Sequence, residues 1–158
     1  VLEGLKMCYI GDGDNMANSL IVGGLKSGMQ VSVATPKGYE PDESVLAFAN
    51  GQEGFVLTQD PKEAIADADV VITDTWASIG VESEKEIRQK AFSGYQVNHE
   101  LMQLAKAGAM VQHCLPAYRG QEISEELFEA HADEIFEEAE NRLHAQKAVL
   151  VKLLQDAR

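Results

Sequence analysis

Short apolar runs alternate along the chain with amphipathic stretches whose apolar residues recur about every 3.6 positions. The short runs have the length of strands and are closed by glycine, proline or polar turn residues. They predict five strands, at Leu5–Ile10, Gln30–Ala34, Gly54–Thr58, Asp69–Thr73 and Met110–His113. The run Val70-Val71-Ile72 is continuously β-branched, which is typical of a central parallel strand covered on both faces.

The amphipathic stretches between these runs predict helices. In the first, apolar residues at helical spacing are followed by Gly28 as a stop signal, and Asp60-Pro61 places proline in the first turn of another. The predicted helices are Asn15–Ser27, Glu43–Ala49, Pro61–Ala66, Glu84–Ala91, His99–Ala107, Glu125–Ala132 and Asn141–Leu154. This alternation predicts right-handed crossovers and a single doubly wound, Rossmann-like α/β domain with a parallel sheet of about five strands.

Composition narrows the classes of partner. The 158 residues suit one domain, and the net charge of −13 would repel a phosphate backbone, so we expect no nucleic-acid binding. Apolar runs of five residues or fewer fall far short of the roughly 20 that span a bilayer, so no membrane segment is expected. No signal peptide is visible, and two cysteines, Cys8 and Cys114, fit a reducing compartment. These features favour a cytoplasmic protein.

One charge run stands out. The stretch Gln121–Glu140 carries nine acidic residues and no lysine or arginine. Such runs usually cover the solvated face of helices and loops, and we expect that role here.

Three polar clusters follow predicted strands one, four and five. Ligands of open α/β sheets bind outside the carboxyl ends of the strands, where the strand order reverses. The coincidence of three such clusters therefore predicts a binding site at this edge. The clusters are Gly11-Asp12-Gly13-Asp14-Asn15, Asp74-Thr75-Trp76-Ala77-Ser78 and His113-Cys114-Leu115-Pro116.

The first cluster has the G-x-G spacing of a dinucleotide site, but two parts of that fingerprint are missing. Met16 occupies the position of the third glycine, and no acidic residue follows the second strand, so NAD binding is not favoured. Backbone N–H groups and the Asn15 amide at a helix N-terminus suit a phosphate or a carboxylate. The alternative is that Asn15 is a plain N-cap.

The second cluster presents a carboxylate, Asp74, four residues before the hydroxyl of Ser78. The two can converge on one ammonium group, although a helix cap or Asx-turn is an equally simple explanation.

In the third cluster, Cys114 has four possible roles: a nucleophile, a metal ligand, a polarisable contact or an inert apolar residue. We expect no metal site, because His113 would point to the opposite side of an extended segment and no Cys-x-x-Cys spacing exists. Cys8 lies in mid-strand and is expected to be in the core.

These clusters, taken with three further motifs in the same order, resemble the carboxyl-terminal half of ornithine carbamoyltransferase. The further motifs are Ala34-Thr35-Pro36-Lys37-Gly38-Tyr39-Glu40-Pro41, Tyr95-Gln96-Val97-Asn98 and Glu140-Asn141-Arg142. The resemblance covers essentially residues 1–158 and implies the ornithine-binding domain of a two-domain enzyme. The family's Ser-x-Arg-Thr-Arg motif for carbamoyl phosphate is absent, so the amino-terminal domain is expected to lie outside this chain.

The resemblance implies the contacts of the ornithine head group. Asn15 and the backbone N–H of Ile79 would bind the α-carboxylate, and Asp74 and Ser78 would hold the α-ammonium. These contacts agree with the interpretation from the residues alone, in which Asn15 binds an anion and Asp74 binds a cation.

The resemblance also implies the reacting end. Cys114 and the Leu115 carbonyl would face the δ-amine and the carbamoyl group, and Arg142 would reach the carbonyl oxygen of carbamoyl phosphate. Asp74, Cys114 and Arg142 are therefore the expected catalytic residues, with no cofactor and no metal. The products would be citrulline and phosphate, in arginine metabolism, and the full-length enzyme would be a trimer or larger.

Three positions depart from the family pattern. Asp14 replaces an asparagine, Ile79 replaces a methionine whose backbone is the contact, and Tyr118 stands where many relatives have histidine. Other interpretations remain open at this point: a carbamoyltransferase for another amine such as putrescine, a non-catalytic amino-acid-binding domain, or a nucleotide-binding or redox α/β module.

Overall fold

A computed structural model of the chain describes residues 1–77 and 85–156. Its sheet has five parallel strands in the order β3-β2-β1-β4-β5, which confirms the predicted fold class. The strands are β1 (Lys6–Ile10), β2 (Gln30–Ala34), β3 (Phe55–Thr58), β4 (Val70–Thr73) and β5 (Met110–His113). Each of them differs from its predicted bounds by one residue at most.

The helices follow the strands in alternation. They are α1 (Met16–Lys26), α2 (Glu43–Ala49), α3 (Pro61–Ile65), α4 (Lys85–Ala91), α5 (His99–Met102), α6 (Glu125–Ala130) and α7 (Ala132–Asp156). Within the two described ranges, no helix combines the length and the apolarity that crossing a bilayer requires.

Two predicted helices have the wrong extent. The helix at His99 ends at Met102 rather than Ala107, because Leu104 O accepts from Asp67 N–H (3.0 Å) and Lys106 N–H donates to Ala68 O (3.0 Å). These bonds draw the chain onto the turn that precedes β4. The last helix begins at Ala132, nine residues before the predicted Asn141.

The sheet is buried on both faces by two separate apolar clusters. Along β1 the side chains alternate between them: Met7 and Tyr9 pack with α1 and β2 residues, whereas Cys8 and Ile10 pack on the opposite face. This alternation explains why β1 has no polar face, and it confirms that Cys8 is a core residue. Trp76 is also buried, with its ring stacked on Phe92 (centroids 5.5 Å apart).

The strand order reverses at β1, which lies between β2 and β4. The last residues of three adjacent strands are register partners: Ile10 pairs with Thr73, and Thr73 pairs with His113. The Thr73 hydroxyl donates to Ile10 O (2.7 Å), which ties β1 to β4 where both strands end. The three polar clusters consequently leave the sheet side by side.

Candidate functional site

The loop after β1 presents Asn15 at the start of α1. Gly13 N–H donates to Tyr39 O (2.8 Å), and a Cβ at Gly13 would lie 2.4 Å from that oxygen, so only glycine fits this contact. Asn15 has a positive φ of 43°, and its side chain makes no hydrogen bond to the helix N-terminus. The plain N-cap interpretation is therefore wrong, and the exposed amide is available to a ligand.

Arg88 of α4 joins three loops at this edge. Its guanidinium forms an ion pair with Asp12, donates to Trp76 O (2.9 Å) and lies 5.0 Å from the centroid of the Tyr39 ring. Burial raises the pKa of Asp12, and the bond from Arg88 opposes that shift. These contacts hold the loops after β1, β2 and β4 in a fixed relation.

Asp74 and Cys114 meet at the ends of β4 and β5. Asp74 Oδ1 accepts from the N–H of the next residue, Thr75 (2.7 Å), and not from a residue two positions on as in an Asx-turn, and the carboxylate is also hydrogen-bonded to the thiol. Burial, that bond and the charges of Asp74 and Glu138 raise the pKa of Cys114 to about 12. The thiol is consequently neutral near pH 7 and donates to Asp74, which excludes a resident thiolate nucleophile.

His113 does not point away from Cys114, as the extended geometry predicted. One potential ligand atom from each of Asp74, His113 and Cys114 lies within 4.8 Å of the others. The reason is that β5 ends at His113 and the chain turns at Leu115, where φ is 56°. Strand alternation therefore does not extend beyond His113, and the predicted opposite orientation of His113 and Cys114 is wrong.

Both ring nitrogens of His113 are nevertheless engaged. Nδ1 accepts from Leu115 N–H (3.0 Å), so Nε2 carries the proton and donates to Glu122 Oε1 (3.0 Å). Both side chains are fully buried. Glu122 Oε1 also accepts from Tyr118 N–H (2.6 Å), so the buried pair holds both arms of the turn that carries Leu115. As placed, the imidazole offers no free lone pair to a metal.

Three of the nine carboxylates in Gln121–Glu140 are turned toward the protein, which corrects the prediction of a uniformly solvated face. Besides Glu122, Glu134 accepts from Val111 N–H (3.0 Å) and Glu138 accepts from His113 N–H (2.9 Å). Burial raises the pKa of Glu138. Sequence reasoning missed Glu138, although its position four residues before Arg142 places both on one face of a helix.

An open cleft of about 780 Å³ lies at the carboxyl edge of the sheet. It brings together five of the seven predicted site residues, while Ser78 and Ile79 lie outside the described residues. Glu138 and Tyr118 line the same cleft. The five predicted residues are Asn15, Asp74, Cys114, Leu115 and Arg142.

The cleft can distinguish the charges on a ligand. Asn15 offers amide donors at one side, Asp74 and Glu138 offer carboxylates beside the neutral thiol, and Arg142 of α7 offers a cation. Asp14, one of the departures from the family pattern, is exposed and accepts from Asn15 N–H (2.7 Å). The arrangement suits a small zwitterion with a further amine.

Comparison with known proteins supplies the family. Residues 3–153 match the aspartate/ornithine carbamoyltransferase family through its Asp/Orn binding domain. The ornithine carbamoyltransferases of Caldicellulosiruptor saccharolyticus and of a Nitratiruptor species are 53% and 56% identical to the chain, over 95% and 93% of its length. The chain covers 50% and 49% of those two proteins, and so spans about half their length.

A solved structure agrees. The anabolic ornithine carbamoyltransferase of Campylobacter jejuni superposes with a TM-score of 0.91 at 44% identity, covering 98% of this chain and 52% of that one. These likenesses agree with the order of the sheet and with the clusters at its carboxyl edge. The chain therefore belongs to the aspartate/ornithine carbamoyltransferase family and corresponds to its Asp/Orn binding domain.

Proposed function

We propose that the chain is the ornithine-binding domain of an ornithine carbamoyltransferase, which transfers the carbamoyl group of carbamoyl phosphate to the δ-amine of ornithine. The observation that carries the proposal is the cleft itself. It gathers an exposed amide, a carboxylate bonded to a neutral thiol, and an arginine, from three loops and one helix. The names of the similar proteins support ornithine as the substrate.

The head of ornithine is a zwitterion, and the two sides of the cleft match its charges. The Asn15 amide, which makes no bond to the helix N-terminus, would donate to the α-carboxylate. Asp74 would accept from the α-ammonium. In this proposal Ser78 and the backbone N–H of Ile79 complete the two contacts.

The reaction forms a C–N bond and breaks the bond between the carbamoyl carbon and the phosphate oxygen. The neutral δ-amine attacks the carbamoyl carbon, and the tetrahedral oxyanion collapses with loss of phosphate. Attack requires loss of a proton from an ammonium whose pKa in water is near that of lysine, about 10.4. Because the pKa of Cys114 is about 12, its thiol stays protonated and orients groups rather than attacking.

Three chain groups would act at the reacting end. Asp74, polarised by the Cys114 S–H bond, would orient the amine and ease its deprotonation. The Leu115 carbonyl would accept from the amine. Arg142, exposed at the mouth of the cleft, would stabilise the developing negative charge on the carbamoyl oxygen. Holding two substrates together supplies much of the remaining rate, and the chemistry requires no cofactor and no metal.

Carbamoyl phosphate calls for a second domain. The chain spans about half the length of the relatives it matches, and its net charge of −13 disfavours a multiply charged anion. The distal part of α7 supports the same proposal, because its large apolar residues are 54–66% exposed. We expect this face to pack on the second domain. Those residues are Leu143, Val149, Leu150, Val151, Leu153 and Leu154.

The full-length protein, which contains both domains, is expected to form a trimer or a larger oligomer. The cysteines Cys8 and Cys114 are unpaired, which supports a cytoplasmic location.

The test is a citrulline assay on two proteins. One is this chain alone; the other is a fusion in which the amino-terminal half of the Caldicellulosiruptor relative precedes it. We expect citrulline from the fusion and none from the chain alone. Arg142→Gln should abolish most of the fusion's activity, whereas Lys147→Gln, an equal charge change at an exposed position of α7, should not.

Two outcomes would contradict the proposal. Turnover by the chain alone would refute the division into two domains. A fusion that carbamoylates putrescine in preference to ornithine would refute the substrate.

A further inference from the structure

Strand β5 ends the sheet, and among the described residues no strand pairs with its outer edge. Met110 N–H donates to Asp69 O (3.0 Å), so the N–H groups of Val111 and His113 face the open side. Both residues are fully buried. Buried donors left unpaired there would destabilise the fold, so the edge requires acceptors from another element.

Helix α7 supplies them. Glu134 Oε2 accepts from Val111 N–H (3.0 Å) and Glu138 Oε2 accepts from His113 N–H (2.9 Å). Four residues of helix rise about 6 Å, and two residues of strand rise about 6.6 Å, so the carboxylates match successive outward N–H groups. The pair of bonds therefore fixes the position of α7 along β5.

Two groups of the cleft, Cys114 and Arg142, lie next to the bond from His113 N–H to Glu138. Its donor is His113, the residue before Cys114, and its acceptor lies one helical turn before Arg142. Beyond that turn the side chains of α7 are exposed, and in the part of the chain that the structure describes Glu138 is the last residue of α7 with a hydrogen bond to the sheet. A charge-assisted bond at this point is stronger than a neutral one.

We propose that Glu138 is a positioning residue, which holds Arg142 over the Cys114 end of the cleft by accepting the His113 N–H. The inference rests on the proposed carbamoyl transfer and adds a residue to it. Glu138 is half-buried, which raises its pKa and partly shields the bond from water. Ornithine head-group contacts lie on the loops after β1 and β4, so they should not depend on Glu138.

The experiment compares Glu138→Ala, Glu138→Gln and Glu137→Ala in the two-domain fusion described above. Glu137 is the matched control, since it is the adjacent residue, carries the same charge and is exposed. Loss of the acceptor in Glu138→Ala should lower kcat about tenfold to a hundredfold, with KM for ornithine changed less than about threefold. Glu138→Gln should stay within about fivefold of the parent, because its amide oxygen still accepts.

A double-mutant cycle tests whether Glu138 acts through Arg142. In an Arg142→Ala background, Glu138→Ala should lower kcat by less than about threefold, because the group being positioned is already absent. If Glu138→Ala lowers kcat by the same factor in the Arg142→Ala background as in the parent, the proposal is overturned. So would wild-type kcat in Glu138→Ala, or a Glu138→Gln variant as impaired as Glu138→Ala.

Hydrogen exchange separates this inference from the proposed function. Peptides that contain His113 should exchange faster in Glu138→Ala than in the parent and in Glu138→Gln, whether or not the protein makes citrulline. An inactive parent with this exchange pattern would refute the carbamoyl transfer and leave the contact in place. Unchanged exchange in Glu138→Ala would refute the contact itself. If Glu138→Ala fails to fold, Glu138→Gln is compared with the parent instead.

Discussion

The protonation state of Cys114 gives a direct measure of the electrostatics of the cleft. Its pKa is raised from an ordinary value of 9.0 to about 12 by burial, by the hydrogen bond to Asp74 and by the charges of Asp74 and Glu138. Thiolate, rather than thiol, attacks disulfides. A rise of three pKa units lowers the thiolate fraction at pH 7.5 by about a thousandfold.

A more basic thiolate is also a better nucleophile, which offsets part of this loss. With a Brønsted coefficient of 0.4–0.5, three pKa units increase intrinsic reactivity about 16- to 32-fold. We therefore expect Cys114 to react with a small disulfide about 30- to 60-fold more slowly than an unperturbed cysteine. The rate should rise about tenfold per pH unit from pH 7 to pH 10 without a plateau.

The assay follows thiol release from a small aromatic disulfide by absorbance, with a peptide of residues 111–117 as the unperturbed reference. Asp74→Asn should accelerate the reaction, because it removes the negative charge of Asp74 and the hydrogen bond to its carboxylate, both of which raise the pKa of Cys114. Asp67→Asn is the matched control, since Asp67 is exposed at the opposite end of β4. Cys8 is fully buried and should react far more slowly, and mass spectrometry assigns the labelled residue. A Cys114 rate at or above that of the peptide would refute the neutral thiol.

Three further predictions test single contacts. In the active two-domain protein, Cys114→Ala should lower turnover and ornithine affinity without unfolding the domain; wild-type kinetics would show that the thiol is a bystander. Asn15→Asp keeps shape and tolerance of positive φ but opposes the α-carboxylate, so KM for ornithine should rise at least about tenfold with an unchanged Tm; an unchanged KM would remove Asn15 from the site. Gly13→Ala should lower the free energy of unfolding by about 1–3 kcal/mol in urea titrations, because its Cβ would lie 2.4 Å from Tyr39 O; Gly23→Ala, with nothing near its Cβ, should not lower it.

The sheet and the place of the cleft could be predicted because they depend on local pattern. Apolar runs of strand length separated by amphipathic helices leave few arrangements other than a parallel sheet. Once that sheet is given, the clusters that begin at Gly11, Asp74 and Cys114 must lie at one edge. The structure bears this out in the register of Ile10, Thr73 and His113.

What could not be predicted depends on contacts between distant parts of the chain. The start of α7 at Ala132 goes with carboxylates bonded to β5, and α5 ends early because Lys106 N–H bonds to Ala68 O. The orientation of His113 depends on a turn at Leu115 and on Glu122, nine residues away. Hydrophobic periodicity contains no information about such bonds, since they join polar groups.

Charge patterning has a similar limit. A run of nine acidic residues gives no local sign of which carboxylates turn inward, because a solvated glutamate and one that bonds a strand edge look alike in sequence. Here Glu134 and Glu138 are distinguished from Glu137 by helical phase alone. That phase becomes useful only after the bounds of α7 are known.

The charges of the cleft give a physical reason why two substrates should be divided between two domains. Asp74 and Glu138 lie beside a thiol that stays neutral, so the cleft attracts a cationic amine and repels a phosphate dianion. A single surface that bound both partners would need a basic cluster next to these carboxylates, and ion pairing within the protein would then neutralise both sets. Arg142, at the mouth of the cleft, offers a cation to the second substrate without neutralising the carboxylates that attract the amine. The proposed reaction would therefore take place at the mouth of this acidic cleft, where the amine held by its carboxylates meets the carbamoyl group brought by the second domain.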